Sequence, residues 1–282
     1  MRPLSQSHLT LLSACPRKYQ YIFFDGLSGP STYEQQATTH WGSQFHLLMQ
    51  QRALDLPVEV LSTADAEMAA SLAALAKAAP DVFKHLPTVH IAQPHQSSDP
   101  NSFSQSEHKR TLIFNDYLLT VVYDLVVCSP EAGQIFDWKT HQRPPRPEWL
   151  QNDWQTRLYL YVLCETTALS PKQLSMVYWF VRLTPPTDAA PDAAPSFYRF
   201  GYSESQHDQT RRDLQALTDE LTKMRAQGYF PKVAVEKGLC DRCPFNVRCD
   251  RIPPNSAIPT DPYHLLKAAS QLTADSVEEI PL

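Results

Sequence analysis

The chain has 282 residues, which fits one α/β domain with appendages, and a hydrophobic fraction of 43% is sufficient for a packed core. The formal net charge of −5 argues against a protein that coats duplex DNA by bulk electrostatic attraction. A protein with this net charge can still contact DNA through local groups of basic residues. No stretch of about 18 apolar residues and no signal-peptide pattern is found. We therefore expect a cytoplasmic protein without a membrane-spanning segment.

The first third of the chain predicts helices followed by a polar loop. Apolar residues at helical spacing, serine caps and an alanine- and leucine-rich run carry this prediction. The expected helices are 5 or 7 to 21 with an interruption or a kink near Pro16, Thr39–Leu54, and Ser62–Ala79 with Ser62 or Thr63 as its start. The Ser- and Gln-rich stretch Pro94–Ser106 is typical of a surface loop.

The middle of the chain predicts an antiparallel meander, because β-branched and aromatic residues replace the helical pattern there. A two-residue turn at Asn115–Asp116 separates the first two strands. The expected strands are Arg110–Phe114, Tyr117–Cys128 and Gln134–Lys139. Beyond them, the predicted elements are a helix over Trp149–Thr166, a buried strand Leu174–Leu183, an edge strand Ser196–Tyr202 and a long helix Glu204–Ala226.

Two carboxylates and one ammonium group converge on this predicted hairpin. Asp137 and Lys139 are two residues apart on one strand and project from the same face. Asp124 lies on the neighbouring strand, which a hairpin places alongside. Carboxylates together with a backbone carbonyl suit Mg²⁺ or Mn²⁺, while a lysine can orient a water molecule or neutralise charge on a phosphate. Taken alone, an Asp-x-Lys motif is most often a surface ion pair.

The order of several motifs carries more information than any one of them. The motifs are Ser5-x-Ser7 with Cys15-Pro-Arg-Lys-Tyr19, Gly42-x-x-x-His46, Asp124, Asp137-x-Lys139-Thr140, Gln155-x-x-x-Tyr159, and clustered cysteines. In this order the sequence resembles the RecB-like branch of the PD-(D/E)xK nucleases. That branch includes AddB-type nuclease parts of bacterial recombination helicase–nucleases and CRISPR-associated exonucleases.

The resemblance implies a role for each matching residue. His46, Asp124, Asp137 and the backbone carbonyl of Trp138 would bind the metal, and Lys139 would be the catalytic lysine. Gln155 and Tyr159 lie one helical turn apart and would contact the substrate strand or hold Lys139. Glu107 could correspond to a further acidic residue of some relatives.

Three of the six cysteines are grouped as Cys240-x₂-Cys243-x₅-Cys249, and Cys15 can supply a fourth thiolate. In a reducing compartment, such a group indicates metal binding rather than disulfides. The resemblance implies a [4Fe–4S] cluster that pins the two ends of the chain together. A structural Cys₄ zinc site is the alternative, because the spacing alone does not separate the two.

Taken together, the sequence predicts one nuclease domain over 1–282 with a restriction-endonuclease-like α/β core. Its ends, 1–30 and 229–252, would bind the cluster, and 253–282 would form a tail. We expect a Mg²⁺- or Mn²⁺-dependent deoxyribonuclease, a single-strand exonuclease in DNA repair, recombination or mobile-element defence, with a helicase or another repair protein as partner. Arg143 and Arg146, near two tryptophans, would contact the DNA. The alternative is a non-catalytic, cluster-stabilised DNA-binding or scaffolding subunit.

Overall fold

The computed structural model describes residues 1–27, 33–58, 65–84, 102–141, 146–183, 194–241 and 243–251. The chain divides into two units, Met1–Pro231 and Lys232–Leu282. The first unit is a mixed six-stranded sheet flanked by helices, which confirms the expected α/β class and is consistent with a restriction-endonuclease-like core. Within the described ranges, no helix is both long and apolar enough to cross a membrane.

The elements of the first unit follow in chain order. The strands are β1 Arg2–Leu4, β2 Phe103–Phe114, β3 Tyr117–Cys128, β4 Gly133–Lys139, β5 Leu174–Phe180 and β6 Ser196–Gly201. The helices are α1 Gln6–Ala14, α2 Pro16–Phe23, α3 Tyr33–Ala53, α4 Ala66–Ala78, α5 Pro80–Lys84, α6 Pro147–Gln151, α7 Trp154–Glu165 and α8 Glu204–Gln227.

Strand β3 is the organising element of the sheet. It pairs antiparallel with β2 along its length, and this confirms the predicted hairpin across Asn115–Asp116. On its other edge β3 pairs with β1 near its start and with β4 near its end. Strand β5 then joins β4 in parallel, and β6 closes the order in an antiparallel pair. On this second edge, β1 covers the start of β3 and β4 covers its end. Among the described strands, none pairs with the central part of β3 on that edge.

Two hydrophobic clusters cover the two faces of the sheet. One contains the inward faces of α1, α7 and α8, with Leu158, Tyr161 and Leu214 among its fully buried side chains. The other lies under α3 and α4 and includes Phe45 and Trp138. Alternate residues of β4 and β5 enter opposite clusters, as strand geometry requires. The sheet is thus buried on both faces, and a polar site has to lie where strands separate or end.

The first predicted helix is two helices in the structure. Cys15 has extended backbone angles (φ −159°, ψ 105°) and serves both as the last cap of α1 and the first cap of α2. The residue before a proline is disfavoured in the helical region, while Pro16 itself fits the first helical position. The change expected near Pro16 is therefore an interruption between two helices rather than a kink within one.

Three other boundaries differ from the sequence expectation. Strand β2 begins at Phe103, so the last residues of the predicted Pro94–Ser106 loop are sheet, while 94–101 lie outside the described residues. Helix α4 is capped by Asp65, whose carboxylate accepts from the Met68 amide, and the expected starts Ser62 and Thr63 lie outside the described residues. The predicted helix Trp149–Thr166 is divided into α6 and α7, because Asp153 caps a new helix by accepting from the Gln155 amide at 2.8 Å.

The second unit is described by itself over 232–241 and 243–251. A short 3₁₀ turn, Val235–Lys237, precedes the cysteine segment. The Cys243 amide donates to the Cys240 carbonyl at 3.1 Å, so these two cysteines bracket a tight turn. The Lys232 ammonium donates to the Cys249 carbonyl at 2.8 Å, which ties the start of the unit to its third cysteine. All six cysteines lie in the described ranges, and none forms a disulfide.

Candidate metal and catalytic site

The β3–β4 hairpin loses its regular pairing at the two predicted aspartates. The backbone ladder ends with the pair Leu125–Phe136. Asp124 and Asp137 occupy the next position in that register. There, the Trp138 amide donates to the Asp124 Oδ2 at 2.7 Å instead of to a backbone carbonyl. A carboxylate therefore takes the place of the next ladder bond, and both acidic side chains stand at the fork between the strands.

A third carboxylate extends the row onto β2. The β2–β3 register pairs Ser106 with Leu125 and His108 with Tyr123, so Glu107 lies opposite Asp124. Glu107 has a left-handed backbone with φ 49°, a conformation that non-glycine residues adopt at a cost of about 1–3 kcal/mol. The Ser106 hydroxyl donates to the Asp124 carbonyl at 2.8 Å and holds the two strands together beside this irregularity. Three strands thus present one carboxylate each at the same level of the sheet.

The side-chain alternation of β3 shifts at the same level. Before Asp124, the odd-numbered residues of β3 enter the cluster beneath α7, whereas after Asp124 the even-numbered residues do so. The residues are Tyr117, Leu119, Val121 and Tyr123, then Val126 and Cys128. Leu125 enters the cluster under α3. An unbroken strand keeps one parity on each face. Asp124 therefore lies where the side-chain alternation of β3 reverses, so its carboxylate can contact groups on both sides of the sheet.

His46 reaches this carboxylate from α3. Its Nδ1 lies 3.4 Å from Asp124 Oδ1, and the imidazole is about one-third exposed. Gly42, one helical turn earlier, has no side chain, and a Cβ there would approach Thr140 Oγ1 to 2.9 Å. Gly42 thus allows α3 to pass close to the residue that follows β4. This contact gives a physical reason for the Gly-x-x-x-His spacing.

Lys139 is held from two sides on the face toward α7. Its ammonium lies 2.8 Å from Asp137 Oδ2 and donates to Gln155 Oε1 at 2.7 Å. The Gln155 amide in turn donates to Asp137 Oδ1. The three side chains form a closed ring in which the glutamine fixes the position of both charged groups. Asp137 is 3% exposed.

The site carries an excess of negative charge. Burial, followed by the charge of Asp124, raises the pKa of Asp137 to about 6, although Lys139 opposes this shift. Burial and the charge of Asp124 also raise the pKa of Glu107. Burial alone would lower the pKa of His46, but its hydrogen bond to Asp124 and the surrounding carboxylate charges raise that pKa above its ordinary value. Burial is the largest cause for the two carboxyl groups, and the mutual repulsion of the carboxylates adds to it.

Tyr159 lies farther inside the same face. It is 4% exposed, packs edge-on against Tyr123 at 5.3 Å between ring centroids, and belongs to the hydrophobic cluster under α7. Burial and the charges of Asp137 and Asp124 raise the pKa of its hydroxyl, and Gln155 is one of the hydrogen-bonding groups beside it. Tyr159 therefore contacts the ring around Lys139 from the core side.

The remaining predicted site residues belong to other elements or lie outside the described chain. Arg143 falls outside the described residues, and Arg146 caps the short helix α6 on the surface. Cys15 stands at the α1–α2 break, and the three clustered cysteines lie in the second unit. For Glu107 the resemblance implies no more than a further acidic residue of some relatives, and the additional signal is its position opposite Asp124 across the hairpin.

The residues present fit a divalent cation. Within the described part of the chain, His46, Glu107 and Asp124 each offer a ligand atom, and these atoms lie within 4.8 Å of one another. Asp137 Oδ2 is buried, and no donor in the described residues satisfies it with hydrogen-bond geometry, although Lys139 lies beside it as an ion-pair partner. Carboxylate oxygens are the preferred ligands of Mg²⁺ and Mn²⁺, and imidazole is compatible with Mn²⁺. The fold and site therefore define an α/β protein with an acidic, lysine-bearing site suited to a divalent metal.

The comparison with known protein families agrees with this class. The chain belongs to the PD-(D/E)XK nuclease superfamily, whose sequence profile matches residues 3–250. Among solved structures, the chain is similar to a candidate exonuclease from Eubacterium rectale with 12% identity, 89% coverage of each chain and a TM-score of 0.46. The family assignment rests on the profile match over residues 3–250. No curated protein matches the chain.

Proposed function

We propose that this protein is a divalent-metal-dependent DNA nuclease that acts on single-stranded ends as an exonuclease. The observation that supports this proposal is the row of three carboxylates across β2, β3 and β4, with His46 on one side and the Lys139–Gln155 ring on the other. Because the chain belongs to a superfamily of nucleases, the proposed reaction is cleavage of phosphodiester bonds and the proposed substrate is DNA.

We propose that residues from four elements, α3, β2, β3 and β4, bind the metal. His46, Glu107, Asp124 and Asp137, together with the Trp138 carbonyl, would hold Mg²⁺ or Mn²⁺. When bound, such an ion polarises the phosphodiester and lowers the pKa of a coordinated water molecule. The Trp138 amide holds Asp124 Oδ2 in a fixed orientation. That contact limits the carboxylate rotamers, so less conformational entropy is lost on ligand binding.

Lys139 supplies a fixed positive charge beside the reacting phosphate. Its contacts with Asp137 and Gln155 prevent the long side chain from sampling other rotamers. An ammonium held in place stabilises charge that develops in the transition state without reorganisation during the reaction. Gln155 and Tyr159 act here as positioning residues, because Gln155 bridges Lys139 and Asp137 within the ring and Tyr159 contacts Gln155 from the core side.

Within the superfamily, we place the chain in the RecB-like branch. The basis is the order of the motifs from Gly42-x-x-x-His46 to Gln155-x-x-x-Tyr159, each of which has a physical counterpart in the site geometry. Under this proposal, the protein functions in DNA repair, recombination or mobile-element defence in the cytoplasm, with a helicase or another repair protein as its partner. Arg143 and Arg146 would contact the DNA backbone.

We further propose that Cys15, Cys240, Cys243 and Cys249 hold a [4Fe–4S] cluster. Cys15 is fixed at a helix break, and Cys240 and Cys243 bracket a tight turn, as two ligands from a Cys-x₂-Cys motif require. A cluster of this kind supplies a cross-link between distant parts of a chain. Purified protein should be brown and contain iron and sulfide, and Cys15→Ser should lose both. A colourless protein with stoichiometric zinc would indicate a Cys₄ zinc site instead.

The nuclease proposal is tested with end-labelled single-stranded DNA in the presence of Mn²⁺ or EDTA. Cleavage should require the metal, and Asp137→Asn or Lys139→Met should reduce it at least about 100-fold. The matched controls are Asp116→Asn and Lys109→Met, which change exposed residues of the β2–β3 hairpin and should retain activity. Metal-independent DNA binding without cleavage by the wild type would contradict the proposal and indicate a scaffolding subunit.

A further inference from the structure

Trp149 differs from the other four tryptophans of the chain in its exposure to solvent. It is 58% exposed, whereas the four others are each no more than 8% exposed: Trp41, Trp138, Trp154 and Trp179. One exposed aromatic residue is common on protein surfaces. A functional interpretation of this exposure therefore depends on the position of Trp149 and on its neighbours.

The indole of Trp149 is paired with an exposed cation. The guanidinium carbon of Arg146 lies 5.5 Å from the ring centroid, within the range of a cation–π contact. Across the residues that the structure describes, no carboxylate forms an ion pair with Arg146. Glu148 is exposed on the same helix and offsets the positive charge. Recognition at this surface would therefore depend on stacking more than on net charge.

Helix α6, which carries Trp149, is fixed to the helix that carries Gln155. The Thr156 hydroxyl donates to the Leu150 carbonyl at 2.5 Å, and Leu150 packs against the core. With standard bond lengths, this contact limits the separation of the Trp149 and Gln155 Cα atoms to about 15 Å. At a rise of about 3.4 Å per stacked nucleotide, this upper limit corresponds to at most about four nucleotides.

We infer that Trp149 and Arg146 form a stacking platform for an unpaired base a few nucleotides away from the phosphate at the carboxylate site. This inference rests on the proposed nuclease function and adds the structural basis of its single-strand preference. A base stacks on an indole face only when that face of the base is exposed, so a duplex interior cannot use the platform. Arg146, stacked on the same ring, lies where it can contact the adjoining phosphate.

The test measures the binding of a fluorescein-labelled thymidine oligomer of about 12 nucleotides, within the usual site sizes for single strands, to the full-length protein in EDTA. Trp149→Ala should weaken binding about tenfold, whereas Trp149→Phe should remain close to wild type because it retains an aromatic face. Ile113→Ala is the control for loss of an exposed apolar side chain: Ile113 is 67% exposed near the β2–β3 turn. It lies six residues along β2 from Glu107, which is about 20 Å at the rise of a strand.

A second readout uses the fluorescence of the exposed tryptophan. Oligomer binding should quench the emission of the wild-type protein, and Trp149→Phe should bind equally well with that quenching lost. In Mn²⁺ assays, Trp149→Ala should raise KM for the same oligomer about tenfold with little change in kcat, and trinucleotides should not distinguish it from wild type.

The two proposals fail in different ways. Unchanged oligomer affinity and unchanged KM in Trp149→Ala, with wild-type cleavage intact, would overturn the platform alone. Equal weakening of a blunt hairpin duplex and of the single strand by Trp149→Ala would also overturn it, because the platform would then not select unpaired bases. Absence of metal-dependent cleavage by the wild type would instead contradict the nuclease function on which the platform rests.

Discussion

Asp124 and Asp137 face each other one position beyond the last backbone pair of the β3–β4 hairpin. The Trp138 amide, which an unbroken ladder would direct to a carbonyl, donates to the Asp124 carboxylate. The site therefore uses the end of a β-ladder as a source of both space and hydrogen-bond donors. Glu107 continues the row on the next strand, and the resulting like charges are what a divalent cation would neutralise.

The first prediction concerns Glu107→Gln. The pKa of Glu107 is raised by burial and by Asp124, so its charged form destabilises the folded, metal-free protein. Removal of that charge should raise the Tm in EDTA at pH 8 by a few degrees and weaken Mn²⁺ binding at least about tenfold. Differential scanning fluorimetry and metal titration would measure the two effects. A lower Tm in EDTA together with unchanged metal affinity would show that Glu107 serves only the fold.

The second prediction concerns pH. Asp137 has a pKa of about 6 in the folded protein against 3.8 for an ordinary aspartate, so the folded state retains a proton that the unfolded state releases. Its contribution to stability is complete below about pH 4 and is lost as the pH rises through about 6. The raised pKa of His46 acts in the same direction. The difference in Tm between wild type and Asp137→Asn, measured in EDTA, should therefore become less favourable to wild type between about pH 4 and about pH 6.

Mn²⁺ should reverse this pH dependence. Metal binding requires the ionised carboxylates and the neutral imidazole, so affinity should rise as the pH increases through about 6. Isothermal titration at pH 5.5 and 7.5 would measure the change. Equal affinity at both values would be incompatible with Asp137 and His46 as ligands.

The third prediction concerns Gln155→Ala. The variant removes the bridge between Lys139 and Asp137 without removing a charge. We expect kcat to fall about 10- to 100-fold with a smaller change in KM, because the interaction matters most when charge develops on the phosphate. Gln227→Ala, at the exposed end of α8, is the matched control and should behave as wild type. If KM alone changed, Gln155 would be a substrate-binding residue rather than a positioning residue.

The fourth prediction concerns Gly42→Ala. Alanine favours helices over glycine by about 1 kcal/mol, and this gain should offset part of the cost of crowding against Thr140, so stability should change little. The new Cβ would approach Thr140 Oγ1 to 2.9 Å, which should displace α3 and move His46 away from Asp124. Activity should therefore fall several-fold. The double variant Gly42→Ala/Thr140→Ala should recover activity toward that of Thr140→Ala alone, and a strictly additive loss would exclude this contact as the cause.

Much of this architecture is available from local sequence patterns. The period of two places Asp137 and Lys139 on one face, and the helical period places Gln155 and Tyr159 on one side of α7. The Asn115–Asp116 turn predicts the hairpin that the structure contains. These predictions succeed because each depends on residues a few positions apart, whose relation follows from backbone geometry alone.

The tertiary structure alone determines where the strands separate and which side chains meet there. Glu107 faces Asp124 because of the hairpin register, and its left-handed backbone leaves no pattern in the sequence. The shift in side-chain alternation at Asp124 depends on how the side chains of β3 are divided between the two hydrophobic clusters, one on each face of the sheet. His46 reaches the site because Gly42 lets α3 approach Thr140, nearly 100 residues away in the chain. Local propensity specifies the helices and strands. Non-local packing determines the register of the strands and the face on which each side chain lies, and the site depends on both.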